Sequence, residues 1–219
     1  LNRFSKALLL LMGAFVILYL VRELMPSAPT ERAAKPTSHL GLVRPGADHP
    51  EPSASKNESG LVESLKSPSG SVRDQATSSL WKLWQSAAGP DAERRLQAGM
   101  DMLASGHPLA AVDQFSKLVA DYPEFAEAYN KRAIAYFSMA DYERSIQDCL
   151  KTTELNKSHF GAWSGLGRCY VAIRRFDLAL HAFERALELQ PFSEEHKRAI
   201  EFCKEKKKNM LPQDLNSSA

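Results

Sequence analysis

Residues 34 positions apart carry matching chemistry from Ala92 to Ser193, and this internal repeat constrains the fold more tightly than any other feature of the 219-residue chain. Three gapless units result, 92–125, 126–159 and 160–193. Gly99, Ala133 and Gly167 recur at one position, and Ala111, Ser145 and Ala179 at another, so every unit has small residues where two helices must approach closely. Large residues fill the rest. Trp163, Leu166 and Tyr170 share a helical face by i, i+3, i+7 spacing, and Leu180, Phe183 and Leu187 do the same further on. Each unit therefore reads as a helical hairpin. The turns fall near Ser105–Pro108, Met139–Asp141 and Ile173–Arg175, and Pro123 and Pro191 stop the second helices.

A lone hairpin cannot bury its apolar faces, so the units must stack and the ends must be capped. Residues 72–91 are expected to form an N-terminal cap: Val72 to Ala87 reads as an amphipathic helix presenting Leu80, Trp81, Leu83 and Trp84, and it should cover the first unit. Residues 194–208 should form a C-terminal capping helix with Ile200 and Phe202 inward, and 209–219 a disordered tail. The cations from Lys204 to Lys208 suit a solvated helix end.

Ahead of the repeats, Ala7 to Val21 holds no charge and is bracketed by Arg3, Lys6 and Arg22. With Phe4, Leu24 and Met25 it is long enough for a single span, so residues 1–25 are expected to be a membrane anchor. A cleaved signal peptide, leaving a secreted or periplasmic protein, is the alternative, although no good small-x-small site follows. The expected localisation is a single-pass protein of an organelle membrane or a bacterial inner membrane. The flanking charges fix no orientation. Residues 26–71, rich in Pro, Ser and Gly without a sustained period, are expected to be a disordered linker.

The third unit places Trp163, Leu166, Gly167, Tyr170, Ala179, Phe183, Ala186 and Pro191 at the eight signature positions of the tetratricopeptide repeat (TPR), which it closely resembles. In the second unit Tyr129, Ala133, Tyr136 and Ser145 fit, while Arg132, Cys149, Thr152 and Lys157 depart. In the first, Ala98, Gly99, Ala111, Phe115 and Pro123 fit, and Arg95 stands where an aromatic is usual. The resemblance implies an all-α superhelix of three helix-turn-helix repeats with capping helices at both ends, here preceded by the anchor helix and linker.

It also implies that the first helix of each unit lines a concave groove. The lining positions include Met100 and Leu103, then Glu127, Asn130, Ile134 and Phe137, then Arg168 and Val171. Such a groove is mainly apolar and suits a peptide or an amphipathic helix of a protein partner, with Asn130 pairing to backbone amides and Arg168 to a carboxylate. Relatives that hold the tails of Hsp70 or Hsp90 use a clamp of Lys, Asn and Arg. Leu96, Met100, Gly161 and Gly165 stand at those places here, and Asn130 is displaced by one, so chaperone-tail binding is not expected.

The formal net charge of +2 raises no field that would draw nucleic acid. The chain has no P-loop, GxGxxG, HExxH, GxSxG or zinc-spaced Cys/His set, so neither catalysis nor a cofactor, metal or small-molecule substrate is expected. Cys149, Cys169 and Cys203 are too widely spaced for a redox motif and read as small buried hydrophobes. The expected function is that of a membrane-tethered adaptor or assembly factor. A constitutive subunit of a membrane complex is the alternative.

Overall fold

The computed structural model describes residues 52–210, which form helices joined by short turns. They are α1 (Pro52–Ser64), α2 (Gly70–Ser86), α3 (Gly89–Ala104), α4 (Pro108–Asp121), α5 (Ala126–Ser138), α6 (Tyr142–Leu155), α7 (Phe160–Ala172), α8 (Phe176–Leu189) and α9 (Glu194–Met210). From α3 onward each helix packs on the next, and the first helices of successive units, α3 with α5 and α5 with α7, also touch. The pairing follows chain order, as the period requires.

Small-to-large complementarity holds each hairpin shut. A Cβ added at Gly99 would stand 2.4 Å from Cε1 of Phe115, and one at Gly167 would stand 2.7 Å from Cε1 of Phe183. The middle unit solves the same approach with a different pair: Ala133 and Cys149 share a buried cluster with Leu166 and Ala182. Phe115 and Phe183 are 0% and 4% exposed, so this interdigitation supplies much of the core; each such side chain contributes about 1.5–3 kcal/mol of burial.

The turns inside the units repeat as faithfully as the helices. Gly106, Ala140 and Arg174, again 34 apart, all adopt left-handed backbone, with φ of 77°, 59° and 61°. Each lets the next residue's N–H reach back to a carbonyl five residues earlier, as in His107 to Met102 at 2.9 Å and Arg175 to Tyr170 at 2.8 Å. Asp141 caps α6 by accepting from the Arg144 N–H.

Four expectations change. A helix, α1, lies inside the stretch read as linker, because Leu61, Val62 and Leu65 pack on Ala76 and Leu80 of α2. Its order comes from tertiary contact, which local composition does not reveal. Next, α2 does not cover the first unit with its buried face; Leu80 and Trp84 pack against Phe160 and Leu189 of the third. On α9 the inward residues are His196, Ile200 and Cys203, while Phe202 is 41% exposed and meets the Phe176 ring edge-on.

The single-pass localisation is also corrected: among the described residues no helix is long and apolar enough to cross a membrane. Segment 7–21, on which that expectation rested, lies outside the described residues, as do the rest of 1–51 and the tail from 211.

Candidate functional site

The concave side has a sealed end and an open end. At the sealed end, Glu127 opens α5 with its side chain fully enclosed. It accepts from Asn130 Nδ2 at 3.1 Å, pairs with Lys131 Nζ at 2.9 Å, and lies 2.8 Å from Nε2 of the equally buried His159. His159 Nδ1 accepts from the Ala162 N–H at 3.0 Å, capping α7, so the ring proton sits on Nε2 and is donated to the carboxylate. Burial alone would push the Glu127 carboxyl up; the His159 hydrogen bond, with the charge and hydrogen bond of Lys131, outweighs it and holds the group below its ordinary range.

Helix α2 lies over this cluster. Trp84 stacks on His159 at 4.3 Å between centroids, and Trp81 meets Phe160 edge-on while Lys131 sits 5.0 Å above its ring. Helix α1 locks the arrangement through one oxygen: Glu58 Oε1 accepts from Trp84 Nε1 at 2.7 Å and from Asn156 Nδ2 at 2.8 Å. Trp81 takes up the space above Gly161, one of the two positions where chaperone-binding relatives place a cation in the last unit.

Beyond Trp81 the groove is open. A cleft of about 330 Å³ runs between α5 and α7, bordered by Trp81, Asn130, Ile134, Phe137, Arg168 and His196. A second, equally large cleft adjoins it, and Phe137 and Arg168 line both; the rest of its wall is apolar, with Val171, Ala172, Phe183, Ala199 and Phe202. Arg168 is exposed, stacks its guanidinium 5.2 Å from the Phe137 ring, and has no ion-pair partner among the described residues. A cation held flat on an aromatic face keeps its N–H fork free for a carboxylate.

Of the expected lining residues, Asn130, Ile134, Phe137, Arg168 and Val171 therefore come together around the open clefts. Glu127 does not; it is 1% exposed and consumed by structure. Met100 and Leu103 pack on the core of the first unit, away from both clefts. The repeat pattern missed Trp81 and His196, because both belong to helices flanking the periodic region. The i, i+4 spacing of His196 and Ile200 was the one signal that could have found the histidine.

The thiols are unpaired and buried. Ser145 Oγ donates to the Ala133 carbonyl at 2.8 Å and lies 3.1 Å from Cys169 Sγ. Cys149 and Ser145, with the Cys149-facing Gly165, also form part of the first cleft's floor.

Models of the tetratricopeptide repeat match residues 96–153 and 161–193. A TPR repeat-containing protein of Rhizobium etli is 31% identical over 97 residues, covering 44% of this chain and 48% of that protein. The SGT1 homolog of Bos taurus is 26% identical over 58% of this chain and 38% of its own length. The chain thus spans less than half of either relative. Among solved structures, the first TPR domain of Spaghetti (RPAP3) bound to the HSP90 peptide SRMEEVD superimposes with a TM-score of 0.51 at 25% identity, over 52% of this chain and 90% of that one. MamA shares the fold, with a TM-score of 0.52 at 22% identity over 62% of this chain and 84% of its own.

The RPAP3 likeness overturns the expectation that this groove is not of the kind that holds an Hsp70 or Hsp90 tail. That expectation tallied cations only at the family's clamp positions. Arg168, outside those positions, offers a free guanidinium to the same groove.

Proposed function

Because the chain belongs to the tetratricopeptide-repeat family, we propose that it is a protein-binding adaptor whose open groove between α5 and α7 holds an extended peptide segment of its partner. Asn130, Ile134, Phe137 and Arg168 are the contact set. One observation carries the reading: Arg168 stands unpaired on Phe137 where two clefts meet, so a bound segment gains an ion pair and apolar burial together. An acidic tail of the type represented by the HSP90 peptide SRMEEVD has that chemistry. Trp81 and α2 close one end of the groove, so the segment enters from the end bordered by Arg168 and α9.

Site-specific crosslinking tests this. A benzoylphenylalanine at Ser164, on the cleft wall, should give discrete adducts to partner protein that excess SRMEEVD peptide suppresses. The same probe at Leu150, exposed on α6, should not. Adducts from Leu150 alone would reject the groove as the binding face.

A further inference from the structure

His196 is the anomaly of the groove. It opens the first cleft from α9, outside the repeats, is only 4% exposed, and its Nδ1 is enclosed without a hydrogen-bond partner. A buried imidazole with an orphaned nitrogen costs folding free energy that an apolar ring of similar size would not. With no acceptor beside Nδ1, the proton of the neutral ring resides on Nε2, the nitrogen that is not sealed off. The cleft therefore receives a donor from α9 as well as the free fork of Arg168 from α7.

We propose that His196 and Arg168 together form a carboxylate-reading subsite, selecting extended peptides in which an acidic group stands next to an apolar side chain. The carboxylate bridges the Arg168 fork and His196 Nε2. The neighbouring apolar side chain enters the second cleft against Val171, Ala199 and Phe202, which Arg168 also borders. Glu195 lies on the rim of the first cleft and makes it unfavourable for a second acid at that point. The donor pair is divided between the last repeat and the helix after it, so the subsite exists only when α9 is docked, through Ile200 and Cys203, on Phe183 and Ala179.

This inference rests on the groove reading above, and the test separates the two. Fluorescence anisotropy on the full chain would compare labelled SRMEEVD with SRMQQVN carrying an amidated C-terminus. His196→Phe fills the site without a donor, whereas His196→Gln restores an N–H near the Nε2 position. The expected result is about tenfold weaker binding of SRMEEVD to His196→Phe, rescue by His196→Gln, and no effect of either change on the neutral peptide. Arg168→Gln should weaken SRMEEVD alone as well. Circular dichroism establishes that each variant is folded, and the Gln variants keep the test valid if His196→Phe is not. Equal binding of both peptides, no binding of SRMEEVD, or equal loss in the Phe and Gln variants overturns the subsite. Binding abolished by Ile134→Arg but indifferent to His196 would leave the groove reading intact and remove this one. Binding indifferent to Ile134→Arg would remove both.

Discussion

Trp81 lies over Gly161 so closely that a Cβ at position 161 would stand 2.5 Å from Cη2 of the indole. The contact joins the helix before the repeats to the first turn of the last repeat. It explains a glycine where the groove of related domains carries a longer side chain: the chain's own tryptophan has taken the space.

Replacing Gly161 by Leu should therefore expel Trp81 and loosen α1 and α2. The expected cost is about 1–3 kcal/mol, the usual penalty for overfilling a packed site. Tryptophan emission should shift to the red, and proteolysis should become faster within 52–86. An unchanged spectrum would show that the Trp81 contact holds nothing in place.

Gly167→Ala should destabilise the third hairpin by about 1–2 kcal/mol, because overpacking against Phe183 outweighs the helix propensity gained. Phe183→Leu in the same chain should recover part of that loss in urea denaturation. Full additivity of the two changes would argue against direct contact.

Ala140 and Arg174 occupy left-handed backbone that Gly106 fills without strain at the equivalent turn. Ala140→Gly should raise stability by about 0.5–1 kcal/mol. The same change at Ala133, inside α5, should lower it.

Arg132, a departure from the repeat pattern, is held by Asp148 through two 2.8 Å hydrogen bonds and by Ser116 Oγ at 3.2 Å. Asp148→Ala leaves a half-buried guanidinium unpaired and should cost about 3–5 kcal/mol. Arg132→Leu with Asp148→Leu should cost far less. Equal losses would mean that the pair, and not the volume it fills, stabilises the middle unit.

Acid should act through two groups in separate pH windows. His196 is held below its usual pKa by burial, which outweighs the upward pull of Glu195. The unfolded chain then takes up this proton first as pH falls through about 6.5, and stability drops. His196→Phe should flatten the stability profile between pH 7.5 and about 5 and raise Tm. Glu127 behaves as a depressed carboxyl: its contribution is present above its unfolded value of 4.5 and fades as pH falls further, through its folded value. Glu127→Gln should remove that lower limb and leave the upper one. Urea titrations across the range check both.

How much of this was legible beforehand depended on whether a residue lay inside the period. The close approaches at Gly99 and Gly167, the turns after α3, α5 and α7, and the buried thiols follow from residues that recur or from composition alone. Glu127 was readable as a groove position but not as a buried one, since its partner His159 is 32 residues away, at the far end of the same unit. Arg132 looked like a flaw until Asp148 stood opposite it.

The amino-acid sequence by itself determined that three equal hairpins would form and pack in chain order, because a repeated pattern of small and large residues is a local instruction obeyed within each 34-residue unit. Where the flanking helices go was decided only by tertiary structure. Leu80, Trp81 and Trp84 could have covered any apolar face, and α2 settled on Phe160 because Gly161 leaves room for an indole and Glu58, itself held by Asn156 Nδ2, accepts from the Trp84 N–H there. His196 reached the groove in the same way, carried by the docking of Ile200 and Cys203 on α8. Such contacts join residues far apart in the chain, and no local pattern encodes which distant surface will have the matching shape and the matching hydrogen-bond partner.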